Sequence, residues 1–400
     1  MHVYWRRAVL VAAFSLPAQA EVTLRDATER AIARSPDTQG LRARIAEARA
    51  REYASRSLTP TPPAVIVGTR RDNALVDLQR GTKEYEAEIE VPFWLPGQKA
   101  ASGASARAQE NSFRLGSEAA AWSVAGAVRE QVWSTALEAV EVAVSRRRVD
   151  TALAIEADVA KRLKGGEVAR GDLLQAKSEV LTARTSLADA ELRYGRALAV
   201  WTALTGLNDL PGGVGEDTVA TVDLDRHPRL MAVAAAVAAA RAEVEVANEF
   251  RRDPPLLLLQ NRADRDTGTG DYRNTLRLSL RIPFATDARN WPRISASQAV
   301  LTQTMVFEQR ERAFVAADFE AARLGLETAQ AQLERARARD ANDREALRLA
   351  RRGFTLGETQ LVIVLLTLVR AVESDLALAR ADVGLKLARA RYNQAAGVLP

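Results

Sequence analysis

The feature that most constrains this chain is a heptad seam that occurs twice. From Leu173, apolar or small residues recur at Ala176, Val180, Ala183, Leu187, Ala190, Tyr194, Ala197, Trp201 and Leu204, in steps that alternate three and four. That is the spacing of a helix packed along a left-handed coiled-coil seam. Adding 191 to each number gives Val364, Thr367, Ala371, Ser374, Leu378, Ala381, Leu385, Ala388, Tyr392 and Ala395. The turn before the seam repeats at the same offset, Gly166-Glu167 against Gly357-Glu358. So does Val91-Pro92-Phe93 against Ile282-Pro283-Phe284. One offset at sites so far apart marks an internal duplication.

The two units span 21–205 and 227–400, with a linker over 206–226 that contains Pro211-Gly212-Gly213. In the first, helices are predicted over 21–35 and 37–57, broken at Pro36. Thr59-Pro60-Thr61-Pro62-Pro63 then forces extended backbone. Strands follow over about 64–70 and 83–92, separated by a polar loop over 72–82, and a long helical hairpin over about 98–205 turns near 165–171. The second unit repeats the order: a helix over 228–251, strands over about 256–262 and 274–283 around a polar loop ending at Arg273, and a hairpin over about 289–396 turning near 353–360. No proline interrupts 98–210, so its first arm of roughly 70 residues is a helix of about 100 Å. The shorter helices, of roughly 22 and 35 residues, stacked end to end match that length. A helix so long and polar outside is not the core of an ordinary globule.

Composition excludes several function classes. Residues 1–20 read as an export signal: Arg6 and Arg7, an apolar run over 8–16, then Ala18-Gln19-Ala20 before Glu21. There is no cysteine, hence no disulfide, thiolate metal site or lipid-bearing cysteine. Beyond the signal, His227 is the only histidine and Met231 and Met305 the only methionines, which leaves little for soft-metal binding or nucleophile–histidine catalysis. A lone histidine in a linker reads as structural. Net charge is +5, or +3 without Arg6 and Arg7, and 56 Lys and Arg interleave with 51 Asp and Glu, so there is no nucleic-acid patch. The residues predict no cofactor and no enzyme. After the signal no apolar run is long enough for a membrane helix; the longest, 361–369, covers about half a bilayer. Entry into a membrane must use strands.

The strands have the chemistry for it. Tyr85, Ala87, Ile89 and Val91 alternate with Glu84, Glu86, Glu88 and Glu90, and Leu276, Leu278, Leu280 and Ile282 with Thr275, Arg277, Ser279 and Arg281. An apolar face toward lipid and a charged face toward water is the pattern of an outer-membrane barrel strand. Such a barrel must close, and four strands enclose no pore. Two chains give a barrel filled by side chains, whereas three give twelve strands and an open lumen. The expected fold is mainly α with membrane β: a trimeric twelve-stranded β-barrel continued by a twelve-helix periplasmic α-barrel, with outer-membrane lipid around the strands.

The whole mature chain resembles the TolC-like outer-membrane efflux channel family. The marks are the duplicated helix–strand–strand–helix–helix order, the exits at Pro92-Phe93 and Pro283-Phe284, the Gly-Glu tips, and Asp172-Leu173-Leu174-Gln175-Ala176 after the first tip. The stretches 92–99 and 390–400 look most like the heavy-metal cation branch. The resemblance implies a homotrimeric conduit in a Gram-negative outer membrane, docked through Gly166, Glu167, Asp172, Gly357 and Glu358 to a periplasmic adaptor (membrane fusion) protein and an inner-membrane efflux pump. At the second tip Ile363 stands where Asp172 stands in the first. Family members with a carboxylate gate are acidic around that position, whereas this chain has Leu361, Val362, Ile363 and Leu366. These residues are read either as an apolar constriction that empties of water or as coiled-coil interior. Glu84, Glu86, Glu88, Glu90, Arg277 and Arg281 would line the lumen, guiding cations, pairing across strands or simply wetting the pore. Phe93, Trp94, Phe284 and Trp291 form either an interfacial aromatic belt or junction packing. The competing readings are a periplasmic adaptor, a soluble coiled-coil scaffold, and a periplasmic enzyme with helical arms.

Overall fold

The computed structural model describes residues 22–71, 83–212, 214–265 and 270–400. The predicted signal and the loop over 72–82 lie outside the described residues. The element order is α1 (Leu24–Arg34), α2 (Pro36–Ser55), β1 (Ala64–Arg71), β2 (Lys83–Pro92), α3 (Gln98–Lys164), α4 (Arg170–Thr205), α5 (Pro228–Glu249), β3 (Leu256–Arg265), β4 (Arg273–Arg281), α6 (Asp287–Thr355) and α7 (Leu361–Ala395), with one 3-10 turn at Leu224–Arg226. No described helix is long and apolar enough to cross a membrane.

Local chemistry sets the boundaries. Thr23 caps α1, its hydroxyl accepting from the Asp26 N–H while the Asp26 carboxylate accepts from the Thr23 N–H. Pro36 does not merely end α1. It opens α2 as the first helical residue, where its missing N–H costs nothing. At the first tip α3 ends in a Schellman turn: Gly166 takes φ +76°, Gly166 N–H donates to Leu163 and Glu167 N–H to Arg162. At the second, Gly357 takes φ +79°, with bonds to Phe354 and Gly353. A Cβ at Gly166 or Gly357 would meet no atom, so these glycines are there for the left-handed backbone alone.

The strands form one antiparallel sheet in the order β1-β2-β3-β4. β3 runs to Arg265, past the predicted end, because Arg262 and Asp264 continue its polar face, paired with Glu84 and Arg273. The hairpin registers also refine the repeat. Ile89 pairs with Val65 and Leu280 with Leu257. Since Ile89 to Leu280 is 191, Val65 to Leu257 is 192; Pro36 to Pro228 is 192 as well. The offset shortens by one residue between the two strands of the hairpin.

The helices lie side by side as staves. α3 packs between α2 with α4 on one side and α5 with α7 on the other, and α6 packs on α5 and α7. Ala176, Val180, Ala183, Ala190 and Trp201 are buried, as are Val364, Ala371 and Ser374, and no other seam residue is exposed. Two main clusters hold the staves. Near α1 the core joins Ala27, Ala31, Val128, Val132, Trp133, Trp201, Val383 and Ala390. At the tips, Ile155, Val159, Ala176, Phe354, Leu361, Val364 and Leu368 make one cluster from both hairpins.

Candidate functional site

At one end of the staves, cross-strand pairing sorts the sheet into two chemical faces. Facing residues across an antiparallel pair share a side. Val65, Ile89, Leu259 and Leu278 form one rung, and Val67, Ala87, Asn261 and Leu276 the next. On the opposite side Ile66, Glu88, Gln260 and Arg277 form a rung, and Gly68, Glu86, Arg262 and Thr275 another. The structure thus places Glu84, Glu86, Glu88 and Glu90 on the same face as Arg277 and Arg281. Charges cross-link this face: Arg262 pairs with Glu84, and Arg273 Nη2 lies 2.8 Å from Asp264 Oδ2. The other face is apolar and uncovered, with Val65, Val67, Leu276 and Leu278 about 70% or more exposed.

The junction between sheet and helices is built from backbone caps. Pro92 is buried opposite Leu256, and Phe93 N–H donates to Pro255 O at 2.9 Å. Trp94 Nε1 donates to Ser57 O, and its ring meets Phe250 edge-on at 6.4 Å. Phe284, next to the half-buried Pro283, and Trp291 in the first turns of α6 both stand out from the surface. The buried Gln98 side chain donates to the carbonyl of Arg252 at 2.9 Å and accepts from Leu95 N–H.

At the other end the tips differ. Gly166, Glu167, Gly357 and Glu358 are all exposed. The Asp172 carboxylate accepts from Ala169 N–H at 3.0 Å and so opens α4; Ala169 has no side-chain acceptor to complete a capping box. Ile363 offers no such bond to α7, whose first residue lacks a side-chain cap. Leu361 turns into the tip core, while Val362, Ile363 and Leu366 lie exposed on the other side of α7. Arg162 joins the tips. Its Nη1 donates to Phe354 O at 2.9 Å, its guanidinium lies 4.6 Å from the centre of the Phe354 ring, and its charge sits at the negative end of α6.

Between the ends, three carboxylates fasten α3 to α7. Glu130 pairs with Arg391, Glu141 with Arg380 and Arg193, and Asp375 with Arg147 and Arg344. Burial alone would raise the Glu141 carboxyl, but hydrogen bonds from Arg380 and Arg193 outweigh it and hold the group below the usual carboxylate range. Arg129, almost wholly buried, binds Glu216 of the linker through Nε and Nη2 (2.9 and 2.7 Å) and the Val398 carbonyl through Nη1. His227 caps α5, accepting from Arg229 N–H through Nδ1, and stacks edge-on with Trp122 at 4.7 Å. Burial, reinforced by Arg229, pushes its pKa down to about 4. Arg129, Arg162 and Glu141 carry no sequence signal that separates them from the many other charges of these helices.

This chain, a four-stranded sheet set on helices of 67 and 69 residues, superposes over nearly its whole length on known solved structures. CusC, studied for the conformational changes accompanying folding and transmembrane channel formation, superposes with TM-score 0.79 at 16% identity, over 99% of both chains. The Campylobacter jejuni CmeC outer membrane channel gives 0.76 at 13% identity, over 99% of this chain and 94% of that one. The open state of the Neisseria gonorrhoeae MtrE outer membrane channel gives 0.75 at 16%, over 94% and 89%. The fold is that of these channels. No protein-family model and no curated protein matches the sequence. At these identities the channel fold is what the likeness shows; role and cargo must come from this chain's own surfaces.

Proposed function

We propose that this chain is the outer-membrane channel of a tripartite efflux system in a Gram-negative bacterium: a passive homotrimeric conduit, not an enzyme, leading from periplasm to exterior. The observation that carries this reading is the two-faced sheet at the head of the long staves. Its apolar face suits lipid, its charged face suits water, and both outer strands, β1 and β4, end the sheet with unpaired edges that lipid does not tolerate. The fold shared with outer membrane channels supports it. Two complete hairpins in one sheet give no support to the adaptor reading.

The exposed Gly-Glu tips are the surfaces we assign to a periplasmic adaptor, with an inner-membrane pump supplying the energy. In this reading the strand carboxylates and arginines line the lumen, where their pairing both wets and braces the wall. Val362, Ile363 and Leu366 form an apolar constriction at the periplasmic end; Leu361, held in the tip core, supports it from behind. Heavy-metal cations are the finer reading of the cargo, supported by the resemblance of 92–99 and 390–400 alone, and the pump would choose them.

Fractionation tests the assignment. A heat-sensitive trimer in detergent extracts of outer membranes is expected, and release by osmotic shock would refute it. The constriction has its own test: Ile363→Asp and Leu366→Asp should raise the resting conductance of reconstituted channels, and an unchanged conductance removes the gating role.

A further inference from the structure

We infer the register in which β4 pairs with β1 of the partner subunit, and with it a basic column at every subunit seam. The inference rests on the trimeric reading above and specifies its membrane interface. The premise is the duplication. β4 is the counterpart of β2 at an offset of 191, and β1 the counterpart of β3 at 192. The contact that β2 makes with β3 inside the chain therefore has one equivalent left unmade, between β4 and a copy of β1. Only the edges of β1 and β4 are open in the described sheet, and the alternation of strand directions makes their pairing antiparallel.

The observed β2–β3 register fixes the rest. Ile89 pairs with Leu259, which carries over to Leu280 beside Val67 of the partner subunit. Ala87 with Asn261 becomes Leu278 beside Thr69 of the partner subunit, and Glu88 with Gln260 becomes Ser279 beside Gly68 of the partner subunit. The rule passes a check it was not built on: every predicted rung joins two positions of the same face, with Leu278 and Leu280 on the side of Val65 and Val67 and Arg277 on the side of Gly68 and Arg70. A slip of one residue would reverse that for the whole strand.

The same mapping turns Glu86 with Arg262, an acid–base rung within the chain, into Arg277 beside Arg70 of the partner subunit. With Arg273 and Arg281 on the same face of β4, each seam carries a basic column, while Glu84, Glu86, Glu88 and Glu90 make an acidic column inside each subunit. The closed wall alternates the two signs around its circumference, and the Arg277–Arg70 rung sets like charges opposite each other across the seam, next to Glu84, which faces Arg70 within its own subunit.

The chain has no cysteine, so paired substitutions report directly. In full-length protein in outer membranes, Leu280→Cys with Val67→Cys should lose its monomer band on mild oxidation and give reducible covalent trimers. The slipped pair Leu278→Cys with Val67→Cys should stay monomeric on the same gel, because diagonal neighbours lie ~7–8 Å apart, beyond disulfide reach. Cross-linking of the slipped pair instead would overturn the register and leave the trimer standing. No cross-link from either pair, in material that also runs as a monomer without denaturation, would overturn both. A readout free of cysteines is Arg277→Glu, which should raise the temperature at which the trimer dissociates; Arg277→Glu with Arg70→Glu should lower it again. A lowered temperature in the single variant contradicts the rung.

Discussion

α3 and α6 are counterparts in the two repeats, nearly equal in length, yet they live in different surroundings. α3 buries 17 of its 67 residues, whereas α6 buries 6 of 69. The sequences explain the difference. Val128, Val132 and Trp133 give α3 an apolar flank for α1 and α4, and Gln109 hydrogen-bonds Glu243 of α5 on another side. At the counterpart of Gln109, α6 has Val300, followed at seven-residue spacing by Phe307 and Phe314, all about half exposed. A heptad stripe of this kind is one side of a seam. In the trimeric reading proposed above, the stripe on α6 is the side that another copy covers, whereas the matching flank of α3 is already covered within the chain.

The sharpest way to break this comparison is to place the same charge on each helix. Val132→Asp puts a carboxylate into a closed core at a cost of about 4 kcal/mol or more, and should abolish folded protein. Phe307→Asp should leave the protomer folded, with unchanged helical circular dichroism, but lose the trimer in native electrophoresis. If both variants fold and assemble, the two helices do not differ as described.

Next in size is the clamp that ties the linker and the C-terminal residues to α3. Arg129→Ala leaves Glu216 without its bidentate partner in a largely buried site and should cost about 3–5 kcal/mol, read as a lower urea midpoint. The second repeat has no such arginine, since Glu320 stands at the counterpart of Arg129. Glu320→Ala, whose side chain is exposed and, among the described residues, bonded only to Arg323 on its own helix, should change the midpoint little.

The smallest effect concerns the junction where α7 meets α5. His227 is neutral in the fold with a pKa near 4, against about 6.5 when unfolded. Above 6.5 neither state takes the proton. As pH falls from 6.5 towards 4 the unfolded state takes it first, so stability declines across that window, by about 1–3 kcal/mol. Ser35 occupies the equivalent junction of the first repeat and does not titrate. His227→Asn, which keeps a capping side chain, should flatten the decline; an unchanged pH profile would place its source elsewhere.

Much of the fold was legible because it rests on periodicity. The seam from Leu173 to Leu204, the alternation in β2 and β4 and the two Gly-Glu turns each follow from a spacing that physics makes unambiguous. The end of β3 was not, because Arg262 and Asp264 look like loop residues until a charged strand face opposite supplies their partners. In sequence Leu361 reads as part of the candidate constriction, because a continuous apolar run hides which residues face the helical core. The helix phase, set by packing against Ile155 and Phe354, takes Leu361 inward and leaves Val362, Ile363 and Leu366 outside. Arg162 and Arg129 were illegible for a simpler reason: beyond the Arg162–Asp158 pair on its own helix, the contacts by which they join separate elements reach groups nearly 90 residues or more away, which no local pattern announces.

The most direct trial is electrical. Protein extracted from outer membranes and added to a planar lipid bilayer should insert as trimers and carry ions, with larger steps after Ile363→Asp. Material that stays monomeric in mild detergent and leaves the bilayer silent would contradict the hollow, shared cylinder on which every assignment above depends.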